Sequence, residues 1–564
     1  MKKIKLLTSL TSLVLLASVL SGCGTAASAA EVLSSHISSG IAAASTEDTP
    51  SSGTSSGSSS AEGEHNTAGS SRTAGMGEKK LVIGSGQSCS TLDPVEAYNG
   101  WYIVRYGISE TLTKMNDDMT ISGWLIEDDY NASGDRKTWT FTIRDGITFS
   151  NGNPVTAEAV KASLQNVFDR GTRGPEYFTP VSMEADGQKL TIVCDKAEPI
   201  LPNKLADPLF SIIDTSADMT NIQDEGPVGC GPFKVVSFDS TTKECIVEKN
   251  DTYHGGEVKV DTIDFVYTED QSTLTMGLQS GDFDAVYNVS MTDIDKFTND
   301  EYVIARTASG RTAHGFMNQN GPLKDKVLRE AILRCIDKET ICSTQLNNQY
   351  VVGKTLITSS APYGYDELND PYPYDPQKAV QLLDEAGYKD IDGDGFRETP
   401  DGQPLDLEFV YYQGRPEQEI VVNATQIAAR QELGIKITVT VNDTQTVIDR
   451  LGSGQYDLLC MSINVLNCAD PENHMNTYFK SGGSYASYGW ENKEFDSIMD
   501  TLTITADPQK RIDLVKQGEQ ILLDDAVCIY YCYPLMNFTM KKNVSGITST
   551  PADYYWVSAE TDIQ

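Results

Sequence analysis

A mixed α/β fold of more than one domain is what this sequence predicts, and three observations predict it. The chain has 564 residues, whereas single domains hold about 100–200. Strand-type and helix-type patterns interleave along it instead of falling into separate blocks. Its hydrophobic fraction of 39% leaves enough apolar residues for more than one large core. No repeat of about 20–50 residues recurs, which argues against a solenoid or propeller.

The elements follow in order. Lys2, Lys3 and Lys5 precede an apolar stretch from Leu6 to Leu20. That stretch is too short for a bilayer core of about 30 Å and reads as a secretory signal. It ends in Leu20-Ser21-Gly22-Cys23, which resembles the bacterial lipoprotein box. The expectation is a signal over 1–22, with Cys23 as the lipidated first residue of the mature chain. A doubly acylated Cys23 would tie the protein to the outer face of the cell membrane. Residues 23–78 are dominated by Ser, Gly, Thr and Ala, too poor in apolar surface to fold, and are expected to act as a leash spanning about 40 Å. His36 and His65 lie within it.

The folded part opens with the short apolar strand Lys80 to Ser85. Trp139 to Ile143 alternates as a half-buried strand. Ala157 to Val167 reads as a helix capped by Thr156. Asp375 caps a second helix, Pro376 occupies its first position and Gly387 ends it. Cys528 and Cys532 share one face of a strand, about 13 Å apart, too far to bond to each other. The 11 cysteines are too dilute for a disulfide scaffold, and a pairing such as Cys194 with Cys245 is not decided by sequence.

Charge and composition exclude several functions. There are 44 Lys+Arg against 80 Asp+Glu, a net charge of −36. That argues against a nucleic-acid partner and against anionic ligands, unless Arg residues converge locally. No HExxH motif appears, and the chain has five His, so an enzyme is not expected. No cofactor is expected either, and the protein is expected to be a monomer.

An ordered set of motifs carries a family resemblance. Thr91-Leu92-Asp93-Pro94 is followed by Asp135 to Gly152, then by Gly229-Cys230-Gly231-Pro232-Phe233, Asn250 to Gly256, Gly281 to Asp284, Asp325 to Ala331, Asp337-Lys338 and Tyr374 to Gly387. This series resembles the family 5 extracellular solute-binding proteins of ABC importers, which include oligopeptide, dipeptide and nickel-chelate receptors. The resemblance implies a two-lobe periplasmic-binding-protein type II fold with the ligand cleft between lobes. It places the first lobe at 79–305, with a small subdomain near 117–206, the second at 306–527, and the return to the first at 528–564. It implies hinge closure on a small peptide that is handed to permease subunits. A nickel- or metallophore-chelate receptor is the alternative within the family, and a sensory or adhesive surface protein is the alternative outside it.

A cleft needs aromatic walls and a few placed polar groups. Tyr98, Trp101 and Tyr102, beside Asn99-Gly100, are the first-lobe candidates, with Tyr177. In the second lobe, Arg415 within Tyr411 to Glu417 could clamp a carboxylate. Asp470 stands where peptide-binding relatives receive the α-amino group, although Asp470-Pro471 also reads as a helix cap. His474 is the plausible His of that cleft. Arg311 resembles a hinge-proximal residue that approaches ligand. No metal site is predicted from one His. Asp390, Asp392, Asp394 and Asp401 have calcium-loop spacing, weakened by Asp at position 12 and by Pro400.

Overall fold

The computed structural model describes residues 78–564. The signal, Cys23, nearly all of the leash, His36 and His65 lie outside the described residues. The described chain is mixed α/β. A long sheet runs in the order Lys436–Asn442, Asp406–Tyr412, Leu458–Asn464, Arg311–Met317, Cys528–Lys541, Ala285–Tyr287, Lys80–Ser85, Thr262–Tyr267, Glu244–Lys249, Phe233–Asp239.

One strand joins the two halves of that sheet. Cys528–Lys541 pairs at its start with Arg311–Met317 and at its end with Tyr302–Ala308 and Ala285–Tyr287. The chain therefore passes between halves at Ser309-Gly310 and again within this strand. Two crossings join the halves, one in the loop between paired strands and one inside a paired strand.

Local signals explain the elements that hold the cleft. Thr156 accepts the Ala159 N–H and starts the helix Ala157–Arg170, three residues longer than the periodicity predicts. That helix packs on a separate sheet of Asn131–Ala132, Thr138–Thr142, Lys189–Cys194 and Pro180–Asp186. Asp375 and Gly387 bound Pro376–Ala386 as expected, with Gly387 at φ 93°. Gly229 and Gly231 fit because nothing larger would: an added Cβ would meet the Ile108 and Gly107 carbonyls at 2.1 and 2.2 Å. That contact presses the turn against the short segment following helix Gly100–Arg105.

The halves are shut on each other. A single apolar cluster contains Val104, Met115, Ala206 and Tyr554 from one half with Phe316, Tyr412 and Tyr478 from the other. The Asn203 amide donates to the Cys468 carbonyl at 3.2 Å across the gap. All ten described cysteines are buried and free. Cys194 and Cys245 sit in different cores.

Candidate functional site

A cavity of about 390 Å³ lies where the crossings meet. Tyr98, Trp101, Tyr102, Arg311 and Arg415 all line it. Its aromatic wall comes from helix Gly100–Arg105 and the turn before it. Tyr98 and Trp101 rings lie 5.3 Å apart, and Trp101 meets Tyr554 at 5.5 Å. The Arg173 guanidinium sits 3.7 Å from the centre of the Tyr98 ring and fixes it from behind.

The wall is held by a buried ion pair. Arg105 is 2% exposed and bonds the Asp553 carboxylate at 2.7 Å and the Asp553 carbonyl at 3.0 Å. Trp101, Tyr102 and Trp556 surround its guanidinium at 5.3, 4.9 and 4.9 Å. The pair pins the C-terminal segment Pro551 to Tyr554 into the cavity wall.

Opposite stand two arginines. Arg311 begins its strand next to the Gly310 crossing and donates to the Ser462 carbonyl at 2.9 Å. Arg415 precedes Pro416, the first residue of helix Pro416–Ala428. Neither has an ion-pair partner among the described residues, and the Arg415 Nε is buried with no hydrogen-bond partner. Burial, then the neighbouring charge of Arg415, pushes the Arg311 guanidinium down to about 10. Both remain charged at neutral pH. The two donors therefore present unspent positive charge to one cavity, which is the chemistry that seats a carboxylate.

The remaining candidates are placed elsewhere. Tyr177 does not line the cavity: its hydroxyl donates to Asp207 at 2.7 Å and accepts from Arg173 at 2.9 Å. Asp470 is 5% exposed, and both its oxygens are taken by Arg511 at 2.9 and 2.7 Å. One of them also accepts the Glu472 N–H at 2.9 Å, but Pro471 is the N-cap of the helix Glu472–Tyr478, so Asp470 braces the helix start from one residue before the cap and is not the cap itself. A carboxylate already bidentate to an arginine is not open to an incoming amine. His474 is buried and stacks on Tyr478 at 4.3 Å, with the His314 ring 5.2 Å away. Burial, then His314, holds its pKa well below the ordinary value.

Asp390, Asp392 and Asp394 bring carboxylate oxygens within 4.8 Å of one another. Asp390 accepts the Gly393 and Gly395 N–H groups, so the turn closes on backbone donors. Asp401 turns away to accept the Thr399 hydroxyl at 2.6 Å and does not complete the set. The loop is a hairpin, bridged at Lys389 and Glu398.

Sequence reasoning missed Lys243, Asn464 and the Pro551 to Tyr554 segment, all of which line the cavity. The aromatic run Tyr554-Tyr555-Trp556 was the available signal for the last.

Comparison with known proteins places this arrangement. The sequence model described as "Bacterial extracellular solute-binding proteins, family 5 Middle" matches residues 120–486. The probable D,D-dipeptide-binding periplasmic protein of Escherichia coli K12 is 26% identical over 502 residues, covering 85% of this chain and 93% of its own. The nickel-binding protein of Staphylococcus aureus is 26% identical over 469 residues, covering 82% and 90%. The crystal structure of the nickel ABC transporter protein from Bacillus halodurans superposes with a TM-score of 0.78 at 26% identity, over 86% of this chain and all of that one. The two-lobe architecture is common to them.

Proposed function

The chain belongs to the bacterial extracellular solute-binding proteins of family 5, and from that premise we propose that it is the membrane-tethered receptor of an ABC importer for a small peptide. The observation that carries this reading is the cavity at the crossings, with an aromatic wall on one half and the unpaired Arg311 and Arg415 on the other. Ligand bound there contacts both halves at once and so favours the shut form over the open one. Its carboxylate sits between the two guanidiniums, and its apolar body lies against Tyr98, Trp101 and Tyr554.

Lipidation of Cys23 keeps the receptor at the membrane, and the leash lets the folded part reach the permease. Relatives that bind a D,D-dipeptide and nickel share the fold. The peptide reading is preferred because no His lines this cavity, and a nickel ion held without imidazole would rest on its chelator alone.

Native mass spectrometry of the full chain, purified without denaturation, tests the reading. A ladder of adducts spaced by amino-acid masses supports peptide capture. A single adduct with a nickel isotope pattern replaces it with the chelate reading. Deletion of the gene should slow growth on the retained solute as sole source, and unchanged growth would remove the importer role. Palmitate labelling lost in Cys23→Ser checks the anchor.

A further inference from the structure

The cavity differs in charge from the chain that encloses it. The whole chain carries −36, yet the cavity is cationic. Arg311, Arg415 and Lys243 line it with no ion-pair partner among the described residues. Asp553 is the one acid in its lining, and Arg105 neutralises it at 2.7 Å.

The other buried cations are satisfied. Arg511 holds Asp470 and Glu472 at 2.7 Å each. Arg329 spends its guanidinium on the carbonyls of Leu323, Lys324, Asp525 and Ala526. Glu417 is the acid acting on both guanidiniums, but its oxygens accept the Ser462 and Tyr350 hydroxyls, and leaving two adjacent guanidiniums partly desolvated with no carboxylate in contact costs stability. The arrangement persists where an incoming group supplies the missing charge.

We infer that the cavity selects acidic peptides: solutes of net negative charge carrying at least two carboxylates, whose amino end is not read. One carboxylate is seated by Arg311 and Arg415. A second faces Lys243, the last residue of the turn between Phe233–Asp239 and Glu244–Lys249, whose ammonium rests 4.4 Å from the centre of the Tyr267 ring until an anion draws it in. The amine meets no free acid, because Asp470 is bidentate to Arg511 and Asp553 is bound to Arg105. This inference rests on the receptor reading above and narrows its solute.

Isothermal titration calorimetry of the full chain with four probes tests it: Asp-Glu, N-acetyl-Asp-Glu, Ala-Ala and Lys-Lys. Asp-Glu is expected to bind at least about 100-fold more tightly than Ala-Ala, and Lys-Lys not at all. N-acetylation is expected to leave affinity unchanged or raise it. Lys243→Gln should weaken Asp-Glu about tenfold and leave Ala-Ala untouched, which separates a charge contact from a folding defect. Equal or tighter binding of Lys-Lys, binding of none of the four, or a large loss on N-acetylation overturns the inference. The two readings fail separately. Tight binding of Asp-Glu with unchanged uptake in a deletion strain removes the importer role and leaves the charge selection standing. Retention of a neutral or basic peptide in native mass spectra does the reverse.

Discussion

Two sets of arginines in this molecule, one buried and one half-buried, differ in how their charge is met. Arg511 is 3% exposed and brings its own carboxylates, Asp470 and Glu472. Arg311 and Arg415 stand at the cavity with none. The first set closes a helix start onto the helix Pro508–Asp524 and is complete without help. The second is incomplete until something binds. A structural arginine and a ligand-binding arginine are alike in sequence; what separates them is whether the fold has already answered the charge.

The largest expected effect breaks the complete set. Arg511→Met would leave Asp470 and Glu472 without their cation, with Asp470 buried. Loss of one partner of a buried pair costs about 3–5 kcal/mol. Urea unfolding followed by circular dichroism should show that loss, and a change under about 1 kcal/mol would mean the pair is not structural.

Arg415→Met addresses the incomplete set and should behave in the opposite way. Stability should change little, because Arg415 gives up no ion pair and the repulsion it exerts on Arg311 opposes its attraction to Glu417. Affinity for Asp-Glu should fall by about 2–5 kcal/mol, at least 30-fold. A variant that loses stability as Arg511→Met does would erase the distinction between the two sets.

The same contrast explains what the sequence could and could not disclose. Trp101 and Tyr102 were read as tilting toward exposure beside Asn99-Gly100, whereas the fold leaves Tyr98 and Tyr102 only 6% and 8% exposed while still placing all three in the cavity lining. Arg415 became a candidate because the Arg415-Pro416-Glu417 turn resembles one in nickel-chelate and some dipeptide receptors. Asp470 read ambiguously because its answering cation, Arg511, lies 41 residues further on, and no local pattern reports that pairing. The Pro551 to Tyr554 wall is tied to Arg105 over 448 residues, a separation at which only the fold supplies the contact. The fold class was carried by the ordered motifs, whose glycines are fixed by backbone contacts such as Gly229 against Ile108.

A smaller effect concerns the imidazoles beside the complete set. His314 donates from Nδ1 to the Thr312 carbonyl at 2.8 Å and is fully buried. Burial pushes its pKa down to about 4, and that of His474 well below the ordinary value. Phe316, Tyr478, Phe479 and Tyr530 surround the pair. Both rings are neutral when folded and bind protons near pH 6.5 when unfolded. Their contribution is therefore intact above that value and is lost as pH falls toward 4, by up to about 1.4 kcal/mol per pH unit for each ring. His474→Gln should flatten the slope of unfolding free energy between pH 6.5 and 4, and an unchanged slope would assign it to other groups.

The smallest effect sets the scale for the others. Lys480 and Asp500 form an ion pair whose acid is 70% exposed. Water screens such a pair and side-chain entropy opposes it, so Lys480→Ala should cost about 0.2–1 kcal/mol. Raising salt from 0.05 to 1 M, where the screening length contracts to about 3 Å, should remove most of that difference. It should leave the cost of Arg511→Met nearly intact, because no salt reaches the Asp470 carboxylate. A salt response common to both variants would show that Asp470 and Arg511 are solvated, and with it would fall the argument that Asp470 is closed to the ligand.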